Sequence, residues 1–268
     1  MAAAASSSAM RWAVGGWTFF IAENAIISHN RGELIEVLDG TTGSERNYHL
    51  VYGSISTAAC ASIAYGYFRK AKGAAPLQWP VAPPAGRMAL GFALQAAGLA
   101  LASQALPYMR LPFGRSKAPE GSCPAADAPG WVARCPIDFH HPEGATDGVH
   151  GVGRISRHAG LWSLAAVSLG AAAVVPSIPQ AACLAMPTIV ALVGGAHQDY
   201  RHRRGQGGTL PPEREERTSH VPFLAMLSGA QEGGSALEAF RRLAAEGKPE
   251  NALIGVGVAA LWAAKRAR

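Results

Sequence analysis

Histidine is the most informative side chain of this sequence for chemistry. The chain has nine, and His29, His158 and His197 lie inside apolar windows or at their ends. Imidazole is a good ligand for haem iron and other transition metals. An ionisable group within a membrane helix is costly and usually marks a functional position. The plainer alternative is an imidazole capping a helix end at a lipid–water boundary. His140, His141 and His150 fall in a Pro- and Gly-rich stretch, where their spacing matches no compact zinc pattern. Cys123 and Cys135 are too far from any C-x-x-C arrangement to complete one, although an oxidising compartment would let them pair. Arg154 and Arg157 precede an apolar window within Gly151–His158. Positive groups at a helix N-terminus oppose its dipole, so this pair would favour an anion there: a lipid phosphate, a propionate or a cofactor phosphate. Snorkelling toward lipid headgroups explains them equally well.

The elements that must position these residues are apolar and long. Only 16% of residues are charged, against roughly a quarter in soluble domains, and the charges cluster between apolar stretches. Six windows stand out, at 12–29, 48–68, 88–109, 158–175, 180–196 and 252–264. A span needs about 20 mostly apolar residues, so the expectation is an all-α fold, a polytopic transmembrane bundle of about five to six helices. Ala and Gly fill the windows and suit close helix approach. Residues 31–46 read as an acidic, turn-rich connection, and the prolines of 76–84 forbid helix. Pro176 and Pro179 bracket a tight turn, predicting an antiparallel hairpin on either side. Ser235–Glu246 has the periodicity of an amphipathic surface helix, with Leu237, Phe240, Leu243 and Ala244 on one face.

The organisation that follows is a short N-terminal tail (1–10), a transmembrane domain (11–232) with an irregular insert (111–153), and a C-terminal part (233–268). That last part combines the amphipathic helix with a short hydrophobic one. The tail is too short to read as a signal or transit peptide. Cys60 and Cys183, inside apolar windows, are expected to be packing residues. The net charge of +6 does not indicate nucleic acid, because the basic residues flank apolar windows without interleaved aromatics. Membrane lipid is the expected partner. Basic residues follow windows that cannot all end on one side, so orientation stays open.

The order of motifs resembles the NnrU family, which includes 15-cis-zeta-carotene isomerases. The resemblance is carried by His29, Glu45-Arg46 with Tyr48, and Gly151–His158 as a G-x-x-R-I-x-R-H element. Asp199 with Arg201, Thr218–Phe223 as a T-S-x-V-P-F element, and Gly229 with Gln231 extend it; Leu77-Gln78-Trp79 is a weaker match. It implies an all-helical membrane protein. In the isomerase branch it also implies a haem b whose reduced iron isomerises the 15-cis double bond of a carotenoid, with His29 at the first axial position. Where that branch has Cys and His in the fourth helix, this chain has Ser168 and Ala171, and Ala159 stands in place of the usual Pro. A second ligand would then be His158 or His197. The cofactor-binding candidates are therefore His29, His158, His197, Arg154 and Arg157. The alternatives are a non-catalytic accessory or haem-handling protein of the same family, and a membrane methyltransferase. The methyltransferase pattern needs paired glutamates after the hairpin, where this chain has Asp199 and arginines. The expected location is a plastid membrane in a photosynthetic eukaryote and the inner membrane in a bacterium.

Overall fold

The first apolar window becomes one helix, α1 (Ala2–His29), in a computed structural model of the chain. The structure describes residues 2–40, 45–72, 74, 85–106, 108–109, 113–115, 131–133, 137–138, 149–206 and 208–267. The turn at 41–44, the linker with Leu77, Gln78 and Trp79, and Cys123, Cys135, His140 and His141 lie outside the described residues.

The connection after α1 corrects a sequence expectation. Residues 31–39 form a second helix, α2 (Arg31–Asp39), ended by Gly40 at φ 63°, a left-handed conformation that glycine adopts without steric cost. Asp39 then accepts the backbone N–H groups of Asn47 and Tyr48, each at 2.9 Å. It thereby caps the start of α3 (Arg46–Tyr65) from outside that helix. Helix α3 continues as a π-helical turn, Gly66–Ala71.

Next comes α4 (Ala85–Ser103), which stops short of the expected end at Met109. The insert contains two small antiparallel ladders rather than loop alone. In these, β1 (Tyr108–Met109) pairs with β4 (Ile137–Asp138), and β2 (Phe113–Arg115) with β3 (Trp131–Ala133). A 3₁₀ turn at Gly151–Arg154 leads to α5 (Ala159–Val174). Helix α6 (Ile178–Ile189) passes through a π-helical turn, Val190–Gly194, into α7 (Gly195–Arg203). The π turn follows Pro187, which lacks the N–H an α-helix would use. Two short helices follow, α8 (Pro212–Arg217) and α9 (Leu224–Leu227). Then come α10 (Ala236–Glu246) and α11 (Pro249–Ala267).

The expected hairpin is present as α5 against α6. Helix α4 packs on the other side of α5, α11 on α4, and α1 against both α3 and α6. The α4–α5 contact is backbone to backbone: a Cβ at Gly91 would lie 2.9 Å from Gly170 O, and one at Gly170 would lie 2.5 Å from Gly91 O. Small residues are what permit such an approach. Asn251 of α11 donates to Ser103 O at 3.0 Å and Lys248 N–H to Gln104 Oε1 at 2.7 Å, fixing α11 on the end of α4. The core is correspondingly lean: Ala13, Ala71 and Cys183 pack with Trp17 and Tyr67, and Trp17 Nε1–H points at Cys183 Sγ at 3.4 Å.

Several polar side chains are buried and several large apolar ones exposed. Glu23, Gln95, Ser163, Gln180 and Asn251 are buried on helices, whereas Ile26, Leu50, Leu164, Leu253 and Leu261 face outward. Two helical stretches, Ala85–Ser103 and Ile178–Arg203, are long and apolar enough to cross a membrane; Ala159–Val174 is apolar but shorter. Five to six such spans were expected. Internal polar residues and charged ends dilute the hydropathy of the other helices. Cys60 is exposed rather than packed, whereas Cys183 is buried as expected. The last window extends into the 19-residue α11.

Candidate functional site

The chain between the 3₁₀ turn and α5 is held by the segment after α8. Arg157 N–H bonds to Ser219 O at 3.0 Å and Phe223 N–H to Ile155 O at 2.8 Å. Ser156 Oγ and Trp162 Nε1 both donate to His220 O, at 2.7 and 2.8 Å. Phe223 has φ 65°, a strained value for a non-glycine residue, at the point where this clasp turns into α9.

Around the clasp lies a buried polar centre. Arg157 Nη2 donates to Asp199 Oδ2 at 2.7 Å, and its Nη1 donates to Thr218 O at 2.5 Å and Glu215 O at 3.2 Å. The other oxygen, Asp199 Oδ1, lies 2.7 Å from His158 Nε2. Side-chain exposure is 8% or less for Arg157, His158 and Asp199, so solvent screens these charges little. The carboxylate held by Arg157 is an acceptor, so the neutral His158 imidazole carries its proton on Nε2.

His220 completes the centre. Its Nε2 lies 3.1 Å from Leu192 O; a carbonyl only accepts, so Nε2 is the protonated nitrogen and Nδ1 bears a lone pair. Nδ1 is buried and has no hydrogen-bond partner. The His158 and His220 rings meet edge to face with centroids 5.4 Å apart. The first residue of α7 makes room for them. A Cβ on Gly195 would stand 2.3 Å from His220 Cε1, 2.7 Å from its Nδ1 and 3.1 Å from His158 Cδ2. One donor atom each from His158, Asp199 and His220 lies within 4.8 Å of the others.

A second histidine centre joins α1 to α7. The His29 and His197 rings have centroids 6.4 Å apart, and Tyr200 lies parallel to both, at 5.8 and 6.4 Å. Arg204 covers the Tyr200 ring at 4.1 Å. Ser28 Oγ lies 2.8 Å from His197 Nε2, and His29 is exposed. Two imidazoles on one metal, with bonds of about 2.0–2.1 Å, would have centroids about 6 Å apart. The ring spacing at His29 and His197 is therefore that of two imidazoles on one iron, provided the Ser28 hydroxyl releases Nε2 and Tyr200, which lies beside the midpoint of the two rings where a porphyrin would sit, moves away. His158 belongs instead to the other centre, against Asp199 and His220. Ser168 and Ala171 lie on α5, where neither offers an imidazole or thiolate.

The expectation that Arg154 and Arg157 attract an external anion is corrected. Both are satisfied by carboxylates of the chain, and neither sits in the first turn of α5, which begins at Ala159. Arg154 Nη2 and Nε donate to Glu246 Oε1 and Oε2 at 2.6 and 2.7 Å, and Gly151 N–H adds a bond to Oε2 at 2.7 Å. Burial would raise the Glu246 pKa, but the Arg154 and Gly151 bonds outweigh it and hold it below the usual carboxylate value. Gln231 Nε2 donates to Arg154 O at 2.8 Å, tying the same turn from the other side.

Sequence reasoning missed Gly195, Glu246 and the role of His220. His220 carried a signal, lying inside the Thr218–Phe223 element. Glu246 carried only its place as the last acidic residue of an amphipathic helix. A further buried carboxylate, Glu23 on α1, accepts from Ser56 at 2.9 Å and Asn24 at 2.6 Å. Tyr52 OH donates to Asn24 Oδ1 at 2.6 Å.

No protein-family model, curated protein or solved structure matches the chain. Fold and site define a class only: a mainly helical protein whose described helices bury several polar side chains and carry two histidine centres sharing α7.

Proposed function

We propose that this chain is an integral membrane haem protein of the NnrU type, working as a cis-carotenoid isomerase, with His29 and His197 as its iron ligands. The observation that carries this reading is the meeting of His29 and His197 from distant parts of the sequence, with ring centroids at a spacing that suits one iron. The motif order around His29 independently favours the same residue. Large apolar side chains face outward on α1, α3, α4, α5 and α11 while Glu23, Gln95 and Asn251 are buried. That pattern supports a polytopic bundle in lipid, the apolar faces meeting acyl chains and the polar groups meeting one another. The natural address is a plastid membrane in a photosynthetic eukaryote and the inner membrane in a bacterium.

The haem b would supply the change of iron oxidation state that drives isomerisation. The protein's part would be to bring two imidazoles together from α1 and α7, the Ser28 hydroxyl and the Tyr200 ring giving up their places beside them to the haem. A second reading, a non-catalytic haem-handling protein, is favoured by one feature: with His29 and His197 both engaged, Ser168 and Ala171 provide no further ligand.

The test is the absorption spectrum of detergent-purified protein, oxidised and reduced, beside His29→Ala and His197→Ala. A Soret band with one haem per chain, lost in both variants, is expected. No haem after reconstitution, or haem retained in both variants, overturns the proposal. Turnover of a 15-cis-carotenoid under reducing conditions separates the isomerase from the haem-handling reading.

A further inference from the structure

The unpartnered nitrogen of His220 points to something the haem reading does not use. A buried polar atom without a hydrogen bond is destabilising, and His220 Nδ1 is such an atom in a crowded place. Its environment is built. The Nε2–H bond to Leu192 O fixes the tautomer that leaves a lone pair on Nδ1. The missing Cβ of Gly195 is what lets that edge of the ring approach His158. Trp162 and Ser156 both anchor the His220 carbonyl, so the backbone carrying the ring is fixed as well.

We propose that His158 Nε2, Asp199 Oδ1 and His220 Nδ1 form a binding site for a divalent transition ion of the zinc class. Two imidazoles and a carboxylate are a ligand set such ions use, with the fourth position left to water or substrate. One ligand atom of each of the three residues already lies within 4.8 Å of the others. His158 Nε2 and Asp199 Oδ1, 2.7 Å apart in their hydrogen bond, need only open slightly to share an ion. On binding, the ring proton of His158 moves from Nε2 to Nδ1, and the freed Nε2 lone pair takes the metal; no net proton is released from the neutral ring. Arg157 stays on Asp199 Oδ2, where it orients the carboxylate. Its positive charge opposes the ion and lowers affinity. Its Nη1 bonds to the Thr218 and Glu215 carbonyls compensate part of that charge.

The experiment uses full-length protein in detergent, tag removed and stripped with chelator. Zn(II) binding is measured by calorimetry and by metal content after desalting, and Co(II) binding by its visible ligand-field bands. One ion per chain is expected, with Co(II) bands that Zn(II) abolishes. His220→Ala is expected to lose more than about 100-fold in affinity, beyond the 10–100-fold that loss of an outer partner costs. His202→Ala and His29→Ala are expected to bind as wild type. The His29 variant therefore separates failure of this site from failure of the haem reading. Thermal unfolding of each variant checks folding. Should His220→Ala unfold, Gly195→Ala displaces the ring while keeping every ligand residue, and must show the same loss. No retention of Zn(II) by wild type, or equal affinity in a folded His220 variant, overturns the proposal.

Discussion

Replacing Gly195 with alanine tests whether the approach of His220 to His158 is a real constraint, because two opposing effects differ in sign. Gly195 opens α7 within a continuous helical stretch, so propensity alone would make alanine stabilising by about 1 kcal/mol. Against that, the new Cβ would fall 2.3 Å from His220 Cε1 and 2.7 Å from Nδ1, well inside contact distance. The ring must move by more than 1 Å or so to restore ordinary carbon contacts of about 3.5 Å. It cannot do so and keep its bond to Leu192 O, a further loss of about 1 kcal/mol. Overpacking adds about 1–3 kcal/mol. The sum is a net destabilisation of about 1–3 kcal/mol, since the hydrogen-bond and propensity contributions cancel. At about 2–4 °C per kcal/mol, differential scanning fluorimetry should read a fall of several degrees, accompanied by loss of Zn(II) binding. A variant that melts higher than wild type and binds zinc unchanged would mean the propensity gain wins and His220 steps aside freely. The close approach would then have no part in holding the donors together.

Two further outcomes follow from a buried ion pair. Glu246→Gln should destabilise by about 3 kcal/mol, the lower end of the range for breaking a buried pair, because the amide oxygen still accepts one Arg154 N–H; a melting temperature within a degree or so of wild type would contradict this. Acid should destabilise through the same pair: Glu246, below its ordinary 4.5, contributes stability above 4.5 that is lost as pH falls through its lower folded value. Melting temperatures across this range in wild type and Glu246→Gln check it: the variant should show the smaller fall, and an equal fall would assign the loss elsewhere.

The sequence by itself determined the helices and several of their ends, because those signals are local. Apolar runs of sufficient length foretold α3, α4 and α6. Pro176 and Pro179 foretold the α5–α6 hairpin, and the apolar periodicity of Ser235–Glu246 foretold α10, at whose start Ser235 Oγ accepts Glu238 N–H at 3.2 Å. His29, His158 and His197 were legible as unusual because imidazoles interrupt apolar surroundings. Helix α2 was missed, since Asp39-Gly40 and Thr42-Gly43 drew a turn-rich reading over a segment helical up to Asp39. Pairing was not local, and only the tertiary structure decided it. Arg154 and Arg157 looked open to an outside anion, yet their carboxylates come from Glu246 and Asp199, 92 and 42 residues away. No periodicity encodes such distances. The same limit hid the division of α7, whose His197 turns to α1 while Asp199, two positions on, turns to α5. Which faces α7 presents is set by the π-helical turn before it and by Gly195, whose lack of a side chain gains its meaning only when His220 arrives from across the fold.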